Sequence, residues 1–226
     1  MKKAARFNTR RMVAIAMFAA LAYACVFILH IKVAFLTFDA KDAVISVAGL
    51  FFGPGAAAVL SLLVATLELI TISDTGLYGF LMNFASSATF SVLAATIYTQ
   101  RKTMKSALLG LSCAVVGTTA VMMGLNLVVT PLFLGGTTAD VAAMIPTLLL
   151  PFNLIKAVLN AALVLVIYKP VATALRHTRL ATGGAATQPY HFSRRSVLVL
   201  LLGLALIALS VVLYLVVLDG TFVLWD

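Results

Sequence analysis

Three polar side chains share one face of an otherwise apolar segment. Asn153, Lys156 and Asn160 occur in the stretch PFNLIKAVLN, which TLLL precedes and AALVLVIY follows. Their spacing places them within about a 60° arc of one helix face. An ammonium group at a helix centre in a bilayer costs roughly 2.5–3.5 kcal/mol on insertion scales. A partner residue, a water-filled cavity or a ligand must therefore compensate the free-energy cost of placing Lys156 there.

The elements that carry these side chains are predicted to be membrane-spanning helices. The chain has 226 residues, of which 63% are hydrophobic and only 10% are charged. Soluble domains are about half apolar and a quarter charged, so the composition predicts an all-α integral membrane protein embedded in the lipid bilayer. The apolar runs cover residues 12–31, 43–52, 55–73, 77–99, 106–134, 147–169 and 196–218.

The distribution of charge predicts how these runs are oriented. If the N-terminus is cytoplasmic and every run crosses, all of the 16 Lys and Arg residues except Lys32, Lys41 and Lys156 lie inside. This arrangement follows the positive-inside rule. The run 43–52 is short, but a re-entrant arrangement of it would place RKTMK outside. We therefore predict a multi-pass protein of the plasma membrane with a cytoplasmic N-terminus and an extracellular C-terminus.

Polar residues of four separate runs then fall at a similar depth. Asn126, Asn83 and Glu68 lie in the outer halves of their runs, near the level of Lys156. One interpretation is that the asparagines join helices by hydrogen bonds and that Lys156 pairs with Glu68. The shared depth favours the other interpretation, a ligand cavity that opens to the outside. Asn offers a donor and an acceptor on one amide and Lys offers donors, which suits the edge of a heterocycle.

Apolar and loop residues are expected to complete such a cavity. Phe38, Met82, Met122 and Met123 are candidates to pack against an apolar ring, although ordinary core or lipid contact is the alternative for each. The outer segment IKVAFLTFDAKDA mixes aromatic and charged residues. Its backbone groups suit a lid over a site, whereas a solvated loop is the alternative.

Several functions are disfavoured by what the sequence contains. The net charge is +9, but the cations cluster between apolar runs, so we predict no nucleic-acid partner. The chain has no GxxxxGK[ST], HExxH or GxSxG motif, so we predict no catalytic residue. Cys25 and Cys113 lie alone in apolar runs, and no metal site or resident cofactor is predicted.

A stripe of small residues marks the first run. Ala16, Ala20 and Ala24 recur every fourth residue in AIAMFAALAYA. Such stripes let two helices approach closely. The stripe therefore predicts either packing within the bundle or docking of another membrane protein.

The chain resembles the riboflavin-specific S component of energy-coupling factor (ECF) vitamin transporters. The resemblance covers roughly residues 10–175 and rests on LTFDAKDAV, GLFFGPGAA, GLYGFLMNF, MMGLNLVVTPLF and LLPFNLIK. It implies a six-helix membrane subunit that captures riboflavin from outside for ATP-driven uptake. It also implies docking onto a transmembrane coupling protein that carries two cytoplasmic ATPase subunits, with no transport by the subunit alone.

The resemblance assigns roles to individual positions. The alanine stripe, Ala16, Ala20 and Ala24, would contact the coupling protein. Asn160, Glu68, Lys41 and Met122 are further candidates for the ligand site because they share its depth or its helix face. The flavin-binding positions of the family fall on Asn126, Asn153 and Lys156, on Thr37, Phe38, Asp39 and Ala40, and on Gly79 and Asn83.

The C-terminal part departs from the usual six-helix subunit. We predict a six-helix substrate-binding domain over 1–175, a basic cytoplasmic linker over 176–195 and an additional C-terminal transmembrane helix over 196–218. The alternatives are an S component for another vitamin such as thiamine or biotin, an intramembrane enzyme that uses Glu68 and Lys156, and a scaffold bundle. The final run contains almost nothing polar, so we expect it to lie apart from the site.

Overall fold

In a computed structural model the chain forms a bundle of α-helices with one short β-hairpin. The structure describes residues 9–28, 31–177 and 194–218. The predicted all-α membrane fold is confirmed, and the hairpin is an addition to it. The helices are α1 (Thr9–Ile28), α2 (Lys41–Phe52), α3 (Pro54–Thr71), α4 (Gly76–Arg101), α5 (Met104–Leu134), α6 (Thr138–Met144), α7 (Leu150–His177) and α8 (Arg194–Val217).

The hairpin follows the first helix. Strands β1 (Ile31–Val33) and β2 (Leu36–Phe38) pair antiparallel, with Ile31 opposite Phe38. The prediction that the first helix continues to residue 31 is wrong, because α1 ends at Ile28. Short strands rich in β-branched and aromatic residues are as apolar as a helix, so hydropathy alone could not separate the two.

Helix α2 lies at the centre of the bundle. It is buried for most of its length and packs against α1, α3, α4 and α7. A Cβ atom at Gly49 would lie 2.9 Å from the Cβ of Ala57 and 3.1 Å from the Cβ of Ala95. Glycine at this position therefore lets α2 come close to both α3 and α4.

Six helical stretches of the described chain are long and apolar enough to cross a membrane. They are α1, α3, α4, α5, α8 and the continuous stretch Thr138–Leu175, which covers α6, the turn after it and most of α7. Helix α2 has 12 residues and would span about 18 Å at a rise of 1.5 Å per residue. This is less than a hydrocarbon core of about 30 Å, so the crossing of run 43–52 stays a prediction.

A short helix that the hydropathy pattern did not indicate precedes α7. Helix α5 ends at Gly135, which adopts a left-handed conformation with φ of 70°. Helix α6 then begins with a capping box, in which Asp140 N donates to Thr137 Oγ1 and Asp140 Oδ2 accepts from Thr137 N. A π-helical turn, Ile145–Leu149, joins α6 to α7.

The additional C-terminal helix is present as α8, which packs against α7. The predicted linker over 176–195 falls largely on residues 178–193, outside the described part of the chain. The division into domains over 1–175, 176–195 and 196–218 therefore stays a prediction.

Candidate ligand-binding site

A cavity of about 350 Å³ lies at the end of the bundle that carries the hairpin. Its walls come from the hairpin, from the connection between α3 and α4, and from parts of α4, α5 and α7. That these walls bind a ligand stays a prediction at this point. The predicted site residues that line the cavity are Thr37, Asp39, Gly79, Asn83, Asn126, Asn153 and Lys156, with the further candidates Glu68 and Met122.

Lys156 connects α7 to the end of β2. Its Nζ donates to the carboxylate of Asp39 at 2.9 Å and to the backbone oxygen of Thr37 at 3.0 Å. One turn earlier, Asn153 donates from Nδ2 to Leu149 O at 2.8 Å, in the π-helical turn that precedes α7. The polar face of α7 predicted from the sequence is thus turned towards the hairpin and the cavity.

Asn160 shares that face but does not line the cavity. Its Oδ1 accepts from the backbone N–H of Ala43 at 2.9 Å, and its Nδ2 donates to Asp39 O at 3.1 Å. Helix α2 has no side-chain cap at Ala40, which is itself buried away from the cavity. Asn160 therefore provides, from a neighbouring helix, a hydrogen-bond acceptor for a backbone N–H in the first turn of α2. It also links that turn to the residue that follows β2.

Two lysines and two carboxylates form a buried cluster beneath the hairpin. Lys41 Nζ lies 2.7 Å from Glu68 Oε2 and 3.5 Å from Asp39 Oδ2. Asn83 Nδ2 also donates to Glu68 Oε2, at 2.9 Å. The sequence alternative in which Lys156 pairs with Glu68 is not what the structure shows, since Lys156 binds Asp39 and Lys41 binds Glu68. Lys41 itself does not line the cavity.

Asp39 is ionised at the centre of this cluster. Burial alone would raise the pKa of the Asp39 carboxyl, but the ammonium groups of Lys156 and Lys41 hold that pKa below its usual value. Within the described residues, no group of three or more His, Cys, Asp and Glu side chains could hold a metal ion. The described partners of the Asp39 and Glu68 carboxylates are Lys41, Lys156 and Asn83.

One oxygen of each of the two buried carboxylates that line the cavity has no partner among the described residues. Asp39 Oδ1 and Glu68 Oε1 are buried and accept no hydrogen bond from any residue that the structure describes. Both residues line the cavity. A buried acceptor without a donor costs roughly 1–3 kcal/mol, and native structures rarely keep one without a reason. These two oxygens are suited to accept hydrogen bonds from a ligand.

Asn126 faces the cavity from α5. It is fully buried, its Nδ2 donates to Met122 O at 2.7 Å, and its Oδ1 accepts from Thr130 Oγ1 at 2.8 Å. An amide has two N–H donors and two acceptor lone pairs. Asn126 therefore keeps one donor and one acceptor position for a further partner.

Aromatic residues also line the cavity and form what we call the aromatic wall. Phe133 of α5 lies 6.3 Å from Phe35 and 6.2 Å from Tyr78 between ring centroids, and all three line the cavity. Met82 and Met122 also line it, as the sequence suggested, whereas Met123 does not. The sequence interpretation missed the aromatic residues, although Phe133 stands in the quoted segment MMGLNLVVTPLF.

Phe38 was predicted to bind the ligand, but the structure turns it away from the cavity. Leu36, Thr37 and Asp39 line the cavity, whereas Phe38 does not. Its ring packs on Phe152 with 4.4 Å between centroids. Phe38 is thus part of the support behind β2.

An exposed ion pair joins two walls at the mouth of the cavity. Lys32 of β1 lies 2.9 Å from the carboxylate of Asp74, in the connection between α3 and α4. Both residues line the cavity, and their side chains are 36% and 73% exposed. Because the pair reaches water, it is worth at most about 1 kcal/mol and is weakened by salt.

The alanine stripe lies on the outside of the bundle. Ala16, Ala20 and Ala24 are exposed, whereas Phe18 and Ala22 on the opposite face of α1 are buried. Packing of the stripe within the bundle is therefore not observed among the described residues. Docking of another membrane protein on it stays a prediction.

Three comparisons place this chain among known proteins. The profile of the family described as "ECF transporter, substrate-specific component" matches residues 10–168. A protein named riboflavin transporter RibU, from Staphylococcus aureus (strain TCH60), is 28% identical over 179 residues, which are 75% of this chain and 94% of that protein. A solved structure described as the S component of a bacterial ECF transporter superposes with a TM-score of 0.64 at 27% identity, covering 74% of this chain and 98% of that one.

Proposed function

Because the chain belongs to the family of substrate-specific components of ECF transporters, we propose that its cavity captures riboflavin for ATP-driven uptake. Membership makes it a multi-pass membrane protein with a substrate-binding role. The observation that carries the choice of ligand is that polar side chains and aromatic rings line one cavity. The similarity to a protein named as a riboflavin transporter supports the same choice.

The size and chemistry of the cavity suit a flavin. Its volume of about 350 Å³ lies within the range of roughly 300–1,000 Å³ that is usual for small-molecule sites. The flavin ring system has a broad apolar part, which the wall around Phe133 and Tyr78 accommodates by stacking. Its pyrimidine edge alternates carbonyl and N–H groups, which match the amides of Asn126 and Asn153 and the ammonium of Lys156.

The sugar-alcohol chain of riboflavin suits the carboxylates. Its hydroxyl groups are donors, and Asp39 Oδ1 and Glu68 Oε1 are buried acceptors without a partner among the described residues. These carboxylates also disfavour a phosphate group, because like charges in a buried site repel each other. The unphosphorylated vitamin is therefore the proposed ligand.

The same proposal gives the chain an orientation. The cavity lies at the end of the bundle formed by the hairpin and by the connection between α3 and α4. Arg11 at the start of α1 and the segment around Arg101 and Lys102 lie at the opposite ends of their helices. The positive-inside rule places that basic end in the cytoplasm. The cavity then opens to the outside, the N-terminus is cytoplasmic and the C-terminus is extracellular.

The proposed partners follow from the family. Uptake requires a transmembrane coupling protein and two cytoplasmic ATPase subunits, and the exposed stripe of Ala16, Ala20 and Ala24 is the proposed docking surface for the coupling protein. Close approach of another helix needs small side chains on an exposed helix face, which this stripe provides.

Titration of the purified protein with riboflavin tests the proposed ligand. Riboflavin fluorescence should be quenched on binding, and protein purified from riboflavin-containing cells should be yellow. Thiamine and biotin at the same concentrations should neither quench nor compete. A colourless protein that leaves riboflavin fluorescence unchanged, or one that thiamine or biotin saturates instead, would contradict the proposal.

A further inference from the structure

The last helix reaches the back of the binding site through one residue. Tyr214 of α8 is only 5% exposed, although most large apolar side chains of that helix face outwards. Its ring meets Phe38 of β2 edge-on, with 5.2 Å between centroids and 83° between planes. Tyr214, Phe38, Phe152 and Ile155 form a buried cluster of their own, separate from the main core. Helix α8 is therefore in contact with the hairpin.

Phe38 and Phe152 join this contact to the cavity, since Phe152 lines the cavity and Phe38 is next to residues that line it. Phe38 stands between Thr37 and Asp39, whose side chains face the ligand site. Those two residues are held from the cavity side by the hydrogen bonds of Lys156. Strand β2 is thus fixed by two sets of contacts, the hydrogen bonds of Lys156 and the packing of the Phe38 ring on Phe152 and Tyr214. A movement of Phe38 would shift both neighbours, because one backbone carries all three.

Helix α8 also comes close to α7 at Gly203, about three turns before Tyr214. A Cβ atom at Gly203 would lie 2.9 Å from Val166 Cγ2 and 3.1 Å from Ala162 O. Gly203 thus meets the later part of α7, whereas Tyr214 meets the cluster at its beginning. The two helices run antiparallel in close contact, and the rigid α8 holds the Tyr214 ring at the level of Phe38.

We propose that Tyr214 is a positioning residue for the binding site, which acts through Phe38 to hold β2 against the cavity. The residues matched by the family profile end at residue 168, so α8 adds this support from outside the matched region. The proposal rests on the proposed function for its ligand, riboflavin. It gives the additional helix a role in retaining the bound vitamin, although α8 contributes no side chain to the cavity wall.

Riboflavin binding to Tyr214→Ala provides the test. The full chain with this substitution should bind riboflavin about 10-fold more weakly, mainly through faster dissociation, which corresponds to about 1.4 kcal/mol. Tyr214→Phe keeps the ring that meets Phe38 and should stay within about 2-fold of the unchanged protein. Leu215→Ala removes a neighbouring side chain that is 44% exposed and should leave the dissociation rate unchanged.

A double-mutant cycle separates positioning from general destabilisation. If Tyr214 acts through Phe38, adding Tyr214→Ala to Phe38→Ala should weaken binding no further. Additive losses would overturn the proposal, and so would a dissociation rate of Tyr214→Ala equal to that of the unchanged protein. If Tyr214→Ala does not fold, Tyr214→Leu keeps most of the apolar volume and carries the same test.

Hydrogen exchange of the ligand-free protein keeps this inference separate from the identity of the ligand. The amides of β1 and β2 should exchange faster in Tyr214→Ala than in Leu215→Ala, because the hairpin loses one of its two supports. Equal exchange in the two variants would refute the role of Tyr214 even if riboflavin binds. Faster exchange together with no riboflavin binding by the unchanged protein would refute the proposed ligand alone.

Discussion

Lys156 Nζ lies 2.9 Å from Asp39 Oδ2, and this one contact joins α7 to the end of β2 beside the cavity. The other oxygen of the same carboxylate, Oδ1, is buried without a partner among the described residues. The pair therefore has two consequences. It fixes the hairpin against α7, and it presents an anionic acceptor and a cationic donor side by side to whatever enters the cavity.

Lys156→Met should abolish riboflavin binding or weaken it by at least about 100-fold. The substitution removes the ammonium group that α7 contributes to the cavity lining. It also leaves the Asp39 carboxylate with only the more distant ammonium group of Lys41. Removing one member of a buried ion pair also costs about 3–5 kcal/mol of stability. Fluorescence quenching measures the affinity, and thermal unfolding in detergent measures the stability.

The matched control for this variant is the double substitution Lys156→Met with Asp39→Asn. It removes the buried charge that the single variant leaves uncompensated, so part of the lost stability should return while binding stays lost. Recovery of riboflavin binding in the double variant would show that Lys156 acts only on the fold.

Asn153 and Asn160 should respond oppositely, although they share one helix face. Asn153→Ala removes a cavity amide whose Nδ2 donates to Leu149 O, four residues earlier in the chain, so riboflavin affinity should fall about 10-fold with little loss of stability. Asn160→Ala leaves Ala43 N–H and Asp39 O without their partner and should cost about 1–3 kcal/mol of stability. Parallel measurements of affinity and melting temperature check this contrast. Equal effects of the two substitutions on both quantities would contradict it.

The sequence predicted the polar half of the site because buried polar groups in apolar helices are rare and therefore visible. Asn126, Asn153 and Lys156 stood out for this reason, and the structure brings all three to one cavity. The same reasoning could not separate Asn160 from Asn153. Which of two amides on one helix face lines a cavity depends on the neighbouring elements. Here the start of α2 is placed against Asn160, whose side chain hydrogen-bonds to the backbone of Ala43 and Asp39.

The aromatic half of the site was less visible for the opposite reason. Phe133 and Tyr78 are ordinary residues in an apolar run, and only the folded bundle decides whether a ring faces lipid or a cavity. Phe38 was predicted from its aromatic type and from the family resemblance, neither of which shows which way a ring turns. In the folded chain its ring packs on Phe152 and Tyr214 and does not line the cavity.

The C-terminal helix shows the limit of hydropathy most clearly. The run 196–218 is almost wholly apolar, so it was expected to lie apart from the site. Tyr214 nevertheless packs against Phe38. A single aromatic residue near the end of an apolar helix is common at membrane interfaces, and no local pattern distinguishes such a residue from one that contacts another element.

Phe133→Ala should weaken riboflavin binding about 10-fold, because it removes the ring that lies between Phe35 and Tyr78 in the aromatic wall. Leu132→Ala is the matched control, since the neighbouring side chain is 64% exposed and faces away from the cavity. Equilibrium titration with riboflavin measures both variants. If the two variants bind equally well, the aromatic wall does not contact the ligand.

Ala20→Trp should abolish riboflavin uptake by cells while leaving riboflavin binding by the purified protein unchanged. The side chain is exposed on α1 and α1 does not line the cavity near this position, so the added ring obstructs only a partner that approaches the stripe closely. Val116→Trp, on an α5 position that is 69% exposed, adds the same bulk elsewhere and should preserve uptake. Co-purification with the coupling protein and ATPase subunits should be lost in Ala20→Trp alone. Normal uptake by Ala20→Trp would show that the coupling protein does not dock on the stripe of Ala16, Ala20 and Ala24. Loss of riboflavin binding by the purified variant would show that the substitution disturbs the fold.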